Sequence, residues 1–112
     1  MTPEEKRRIQ STIEAAITQL HRDLPQLEAQ ARPVAPDEAI GRLTRMEAIN
    51  SRGIAEANLR NARQKLARLK IMLSKIDSED FGRCRQCDDP IPMGRLLALP
   101  GEDRCVPCAQ RS

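Results

Sequence analysis

Apolar residues fall at Ile9, Ile13, Ala16/Ile17, Leu20, Leu24 and Leu27, always three or four apart, with charged and polar residues between them. That period lays one stripe along a helix. Ahead of it stands Thr2-Pro3-Glu4-Glu5, where Thr2 can cap, Pro3 suits the first helical position and the two acids complement the helix dipole. The pattern predicts a helix over about residues 3–30. Pro25 lacks a backbone donor, so a kink there, or a stop near Leu24 with a weak resumption, is expected. The run Arg32-Pro33-Val34-Ala35-Pro36-Asp37 holds two prolines too close together to share a helix, which predicts a loop over 31–36. Asp37 and Glu38 then open a second helix over about 37–77.

The second helix carries a regular seam of Ala55, Leu59, Ala62, Leu66, Leu69, Leu73 and Ile76, spaced 4-3-4-3-4-3. This is a coiled-coil pattern. Nearer the loop, Ile40, Leu43, Met46 and Ile54 follow a shifted phase, with Gly53 at the change. Two helices joined by a short loop run antiparallel. With a six-residue loop, Leu27 is expected opposite the region of Leu43 and Ile9 opposite Arg60, so that Leu66 to Ile76 outrun helix 1. The fold class is therefore mainly α: an antiparallel two-helix coiled-coil hairpin over residues 1–77, followed by a separate small module over 78–112.

Composition supports this division. The 112 residues include one aromatic, Phe81, and 31% are charged. A thick aromatic-filled core is excluded, and a chain of Leu, Ile and Ala between charges suits long helices. No apolar run approaches the ~18 residues of a membrane span. The N-terminal residues also lack the basic-then-apolar order of a secretory signal, so a cytoplasmic protein is expected. The net charge of +3 is mild, but between Arg42 and Lys75 nine basic groups meet only two acids, Glu47 and Glu56. From Arg60 to Lys75 there are no acids at all. A solvated helix face accounts for that run; the competing reading is a surface for phosphates or a protein partner.

The last thirty or so residues, with four prolines and all four cysteines, are too short to fold on apolar burial. Cys84-Arg85-Gln86-Cys87 and Cys105-Val106-Pro107-Cys108 are separated by 17 residues. Two residues between thiolates let a tight turn present both sulfurs to one ion, and the second pair completes a tetrahedron. Disulfides need an oxidising compartment, to which nothing directs the chain. A redox dithiol needs a βαβ setting that is missing, although a thiol sensor that releases metal on oxidation shares the spacing. Rubredoxin-like iron knuckles favour Gly where Asp88 and Ala109 stand. One structural Zn2+ held by Cys84, Cys87, Cys105 and Cys108 is expected, with no open position for catalysis. His21 is the only histidine and has no partner in sequence; the paired acids suit helix starts and turns. No catalytic constellation is found, and no enzyme activity is expected.

Phe81-Gly82-Arg83-Cys84-Arg85-Gln86-Cys87, then Pro90-Ile91-Pro92-Met93-Gly94-Arg95-Leu96-Leu97-Ala98-Leu99-Pro100, then Cys105-Val106-Pro107-Cys108, resembles the zinc finger of the DksA/TraR family. The resemblance covers about residues 37–109. It implies a bacterial transcription regulator whose partner is RNA polymerase rather than DNA, with the hairpin entering the secondary channel and ppGpp acting jointly. A cytoplasmic monomer is expected. In the family two aspartates near the hairpin tip, three apart, act near the active centre; the matching positions here are Gly41 and Thr44. The tip residues expected to meet the partner are Asp37, Glu38, Gly41, Arg42, Thr44 and Arg45. The alternative is a small zinc ribbon that binds nucleic acid through the basic face of helix 2. Phe81 is expected to pack the zinc module onto the seam near Leu73 and Ile76.

Overall fold

The computed structural model describes residues 1–32 and 45–111. Its elements are α1 (Pro3–Ala31), α2 (Arg45–Ser74), α3 (Met93–Ala98) and α4 (Val106–Arg111). Among the described residues the only β feature is an isolated antiparallel bridge between Arg83 and Pro90.

The start of α1 is a capping box. Glu5 N–H donates to Thr2 Oγ1 at 3.1 Å, and Thr2 N–H donates to Glu5 Oε1 at 3.0 Å, so two orphan donors are satisfied reciprocally. The hydrogen bond holds the Glu5 carboxyl below its ordinary range. The apolar stripe forms the covered face: Ile9 and Ile13 are each 1% exposed, and Ala16, Ile17, Leu20, Leu24 and Leu27 are half-buried. Helical geometry continues unbroken through Pro25, so the expected stop near Leu24 does not occur. Pro25 is exposed, and the carbonyl that loses its helical donor lies on His21, also exposed, where water can replace the bond.

In α2 the predicted seam is realised along its whole length. Ala55, Ala62, Leu66, Leu69 and Ile76 are buried, and Leu59 and Leu73 are half-buried. The helix closes at Ser74 rather than 77, and the next residues tighten into turns with Lys75 N–H on Met72 O and Ile76 N–H on Leu73 O. The shift of phase before the seam is also realised: Met46 and Ile54 are exposed at 71% and 64%. The predicted loop at 31–36, the helix start at 37, and Ile40, Leu43, Asp37, Glu38, Gly41, Arg42 and Thr44 lie outside the described residues, apart from Ala31 and Arg32; Arg45 opens α2.

The chain forms two compact units, Leu20–Gln64 in one and Met1–Gln19 with Lys65–Ser112 in the other. The later half of α1 thus clusters with the earlier half of α2, and the reverse holds for the other halves, which is the antiparallel order. The expected register needs correction. In the first unit Glu28 lies 3.6 Å from Arg63, and Ile9 belongs to the unit that begins at Lys65, not to the one that holds Arg60. Leu66 to Ile76 therefore do not outrun helix 1. The physical reason lies in the seams: α1 offers apolar positions from Ile9 to Leu27, and the stretch of α2 with a matching uninterrupted stripe is Ala55 to Ile76. A register set by a six-residue loop would have placed the exposed positions Met46 and Ile54 in the interface instead.

In the unit containing the C-terminus, Leu69 has 0% exposure and lies under Gly101, a glycine at φ +96°. A side chain on Gly101 would begin 3.5 Å from Leu69 Cγ and Cδ2, so the backbone there covers the seam directly. Phe81 is half-buried and borders a concavity of about 350 Å³ together with Met72, Lys75, Ile91 and Leu96. It stands at the junction of α2 with the cysteine module, as its place in the sequence suggests.

Candidate metal centre

The cysteine module is built from two tight turns. Gly82 at φ +89° turns the chain out of α2, and Ile91 N–H returns to Gly82 O at 2.7 Å. Between them Cys84 N–H donates to Asp89 O and Asp88 N–H to Cys84 O, both at 2.8 Å. This closes the knuckle with Asp88 at φ +65°. A left-handed residue is required after the second cysteine, and Asp occupies that region at less cost than most side chains. Replacing Asp88 by Gly is expected to stabilise the zinc-loaded protein by about 1 kcal/mol, and Asp88→Val to destabilise it by roughly 1–2 kcal/mol. Thermal melts with excess zinc check this; equal melting temperatures for the two variants would refute it.

The second pair follows a different local logic. Cys105 precedes α4, whose first turn carries Cys108, and Ala109 N–H donates to Cys105 O at 3.0 Å. The two halves are tied together by Arg85 N–H on Asp103 O at 3.0 Å, and by the Arg85–Asp103 ion pair at 3.2 Å. Arg95 Nε reaches from α3 to Arg104 O at 3.0 Å.

These turns bring the four predicted cysteines together. Their sulfurs all lie within 4.8 Å of one another, with Cys84, Cys105 and Cys108 buried and Cys87 exposed. Cys87 Sγ and Cys105 Sγ are 3.5 Å apart. A tetrahedron with Zn–S bonds of about 2.3 Å has sulfur–sulfur edges of roughly 3.8 Å. Among the described residues no histidine or carboxylate joins the group. The donor set is all-thiol, closed and of the right size for a single structural Zn2+.

The electrostatics agree. Burial pushes the Cys84 thiol up, but N–H groups of Cys105, Cys87 and Gln86 aimed at its sulfur outweigh this and hold it at about 6. The Cys105 sulfur, burial and the Cys87 and Cys84 sulfurs push Cys108 up to about 12. At Cys87 the Asp89 N–H acts downward, but burial and the Cys105 and Cys84 sulfurs carry the thiol upward. The Cys84 thiolate is favoured, and the Cys87 and Cys108 thiols resist joining it. A divalent cation at the centre reverses that repulsion.

The sequence matches the prokaryotic dksA/traR C4-type zinc-finger model over residues 79–112. The C-terminal module is similar to the DksA/TraR zinc fingers. Curated relatives agree with this assignment. The RNA polymerase-binding transcription factor DksA of Buchnera aphidicola is 39% identical over 54 residues, 46% of this chain and 36% of that protein. The factor of the same name from Haemophilus influenzae is 37% identical over 46 residues, covering 41% of this chain and 32% of the relative. These matches span about a third of the relatives' length. Among solved structures, transcription factor DksA2 from Pseudomonas aeruginosa superposes with a TM-score of 0.72 over 99% of this chain and 84% of that one, at 17% identity. That likeness shows a shared fold that includes the helices.

Arg85, Arg95, Asp103 and Arg104 were not singled out by the sequence reading. Asp103 belongs to a pair of acids that suits a turn, and no spacing rule announces that Arg95 reaches a carbonyl nine residues on.

Proposed function

We propose that this chain is a zinc-stabilised, non-enzymatic regulator of the DksA/TraR type that docks on bacterial RNA polymerase through the secondary channel. Cys84, Cys87, Cys105 and Cys108 hold the ion, and the helical hairpin of residues 1–77 carries the tip segment around Asp37 to Arg45 into the partner. The observation that carries this reading is the joint occurrence of a DksA/TraR finger and a DksA-like fold over 99% of the chain. The named relatives are RNA polymerase-binding factors. With Gly41 and Thr44 in place of tip acids, contact falls to Asp37, Glu38, Arg42 and Arg45, and any joint action with ppGpp takes place on the polymerase. The chain acts in the cytoplasm, as a monomer. No helix among the described residues is long and apolar enough to cross a membrane.

A second reading has an observation of its own. Arg60, Lys65, Arg68, Lys70 and Lys75 are exposed along α2, and none of them belongs to an ion pair shown among the described residues. Such a face can bind phosphates, although no aromatic accompanies it for base stacking. One experiment separates the two. Purified zinc-loaded protein is expected to bind RNA polymerase core and to be displaced by a known secondary-channel factor. Absence of binding up to roughly 50 µM refutes the polymerase reading. Binding to free duplex DNA or RNA with a log–log salt slope of about −4 would favour the second.

A further inference from the structure

The carbonyl of Arg104 and the N–H of Cys105 are opposite edges of one planar peptide group. Arg95 Nε donates to that carbonyl at 3.0 Å. The N–H on the other edge belongs to Cys105, the first cysteine of the second pair. A guanidinium on α3 therefore sets the plane of the peptide that introduces that pair. We propose that Arg95 is a positioning residue of the metal centre, which fixes the Arg104–Cys105 peptide so that Cys105 is aimed at the ion.

Three features make this more than a surface contact. Arg95 stands on an anchored element: Leu96 is 2% exposed, and the N–H groups of Arg95 and Leu96 both meet Pro92 O at 3.0 and 3.1 Å. The far end is restrained as well. Glu102 Oε1 accepts from both Arg104 N–H and Arg104 Nε, at 3.1 and 3.2 Å, in side chains only 20–23% exposed. The bond from Arg95 is charge-assisted and part-buried. A charged donor on the carbonyl resists rotation of the peptide, and so of the Cys105 side chain that leaves it. The other arginine between the knuckles serves as a contrast. The Arg85–Asp103 pair has side chains 62% and 41% exposed, and exposed pairs contribute little. The backbone bond from Arg85 N–H survives any change of its side chain.

This inference rests on the zinc reading, and the test keeps the two apart. Zinc affinity is measured by chelator competition for the parent, Arg95→Met, Arg95→Lys and Arg85→Met. A parent that takes up no zinc overturns the zinc reading itself. With a parent that holds one equivalent, Arg95→Met is expected to lose about 10–100-fold in affinity, the range for partners that orient metal ligands. Arg95→Lys is expected to lose less, and Arg85→Met to stay within about twofold of the parent. The second readout is the Cys105 amide resonance of the cadmium-substituted protein, which is expected to move in both Arg95 variants as the carbonyl of the same peptide loses its donor. An Arg95→Met protein within about twofold of the parent, with an unmoved Cys105 amide, overturns the proposal. Should Arg95→Met fail to fold, Arg95→Lys decides. Its ammonium cannot reproduce the fixed Nε–H geometry, so parent-like affinity and an unmoved Cys105 amide in that variant also overturn it.

Discussion

Replacing Cys105 by Ser is expected to unfold the module that follows α2 and to loosen the last turns of the helix itself. Structural zinc contributes about 10–16 kcal/mol of binding free energy in finger-sized peptides, as much as the whole stability of an ordinary domain. The apolar burial inside the module cannot match that. Apart from the cysteines, its buried hydrophobic side chains are Ile91 and Leu96. The loss should not stop at the module, because Gly101 covers Leu69 and the same compact unit includes the chain from Lys65 onward. Hydrogen exchange with zinc analysis provides the check. Amide protection is expected to fall across residues 78–112 and in α2 beyond Leu66. Retention of one zinc equivalent with parent-like protection would sink both the ligand assignment and the coupling.

Leu69→Ala tests the same junction from the helix side, with the metal ligands intact. Leu69 has no exposed surface and sits beneath a backbone that cannot follow it inward, since Gly101 is held at a positive φ. A cavity should therefore persist, and such truncations cost about 2–5 kcal/mol. For a chain of this size that corresponds to a fall in melting temperature of roughly 10–20 °C at saturating zinc. Ile71→Ala is the control: this residue lies on the same helix but is 54% exposed. Its expected cost is within about 0.5 kcal/mol. Equal melting temperatures for the two variants would show that Gly101 does not cover the seam in solution.

The stripes on both helices were legible because a 3.6-residue period needs no knowledge of the partner. Ile9, Ile13, Ala62 and Leu66 could be assigned to a covered face from spacing alone. The four cysteines were legible for a similar reason, since two residues between thiolates leave few alternatives to one shared ion. Asp88 in the left-handed region was readable as a tolerated substitute for glycine. The register of the helix pair was not readable. It depends on which stretches of seam match best, and the length of the loop does not report that. Pro25 misled in the same direction, because an exposed helix turn can hand its lost bond to water. Arg95 escaped notice because its partner is a backbone carbonyl, and a carbonyl leaves no mark on the sequence.

The packing of Met1 against Gly82 has a consequence for how the chain assembles. A side chain at Gly82 would run into Met1 Cε, so the first residue meets one about eighty positions away. The four cysteines span only Cys84 to Cys108. Closing the longer loop costs about 1 kcal/mol more in chain entropy than closing the shorter one. Helices and the cysteine cluster are local structures and are expected to form first, with the N-terminal turns docking afterwards. In a stopped-flow refolding experiment, metal capture should precede the arrival of Met1, and a reporter at residue 1 should lag behind the thiolate–metal absorbance.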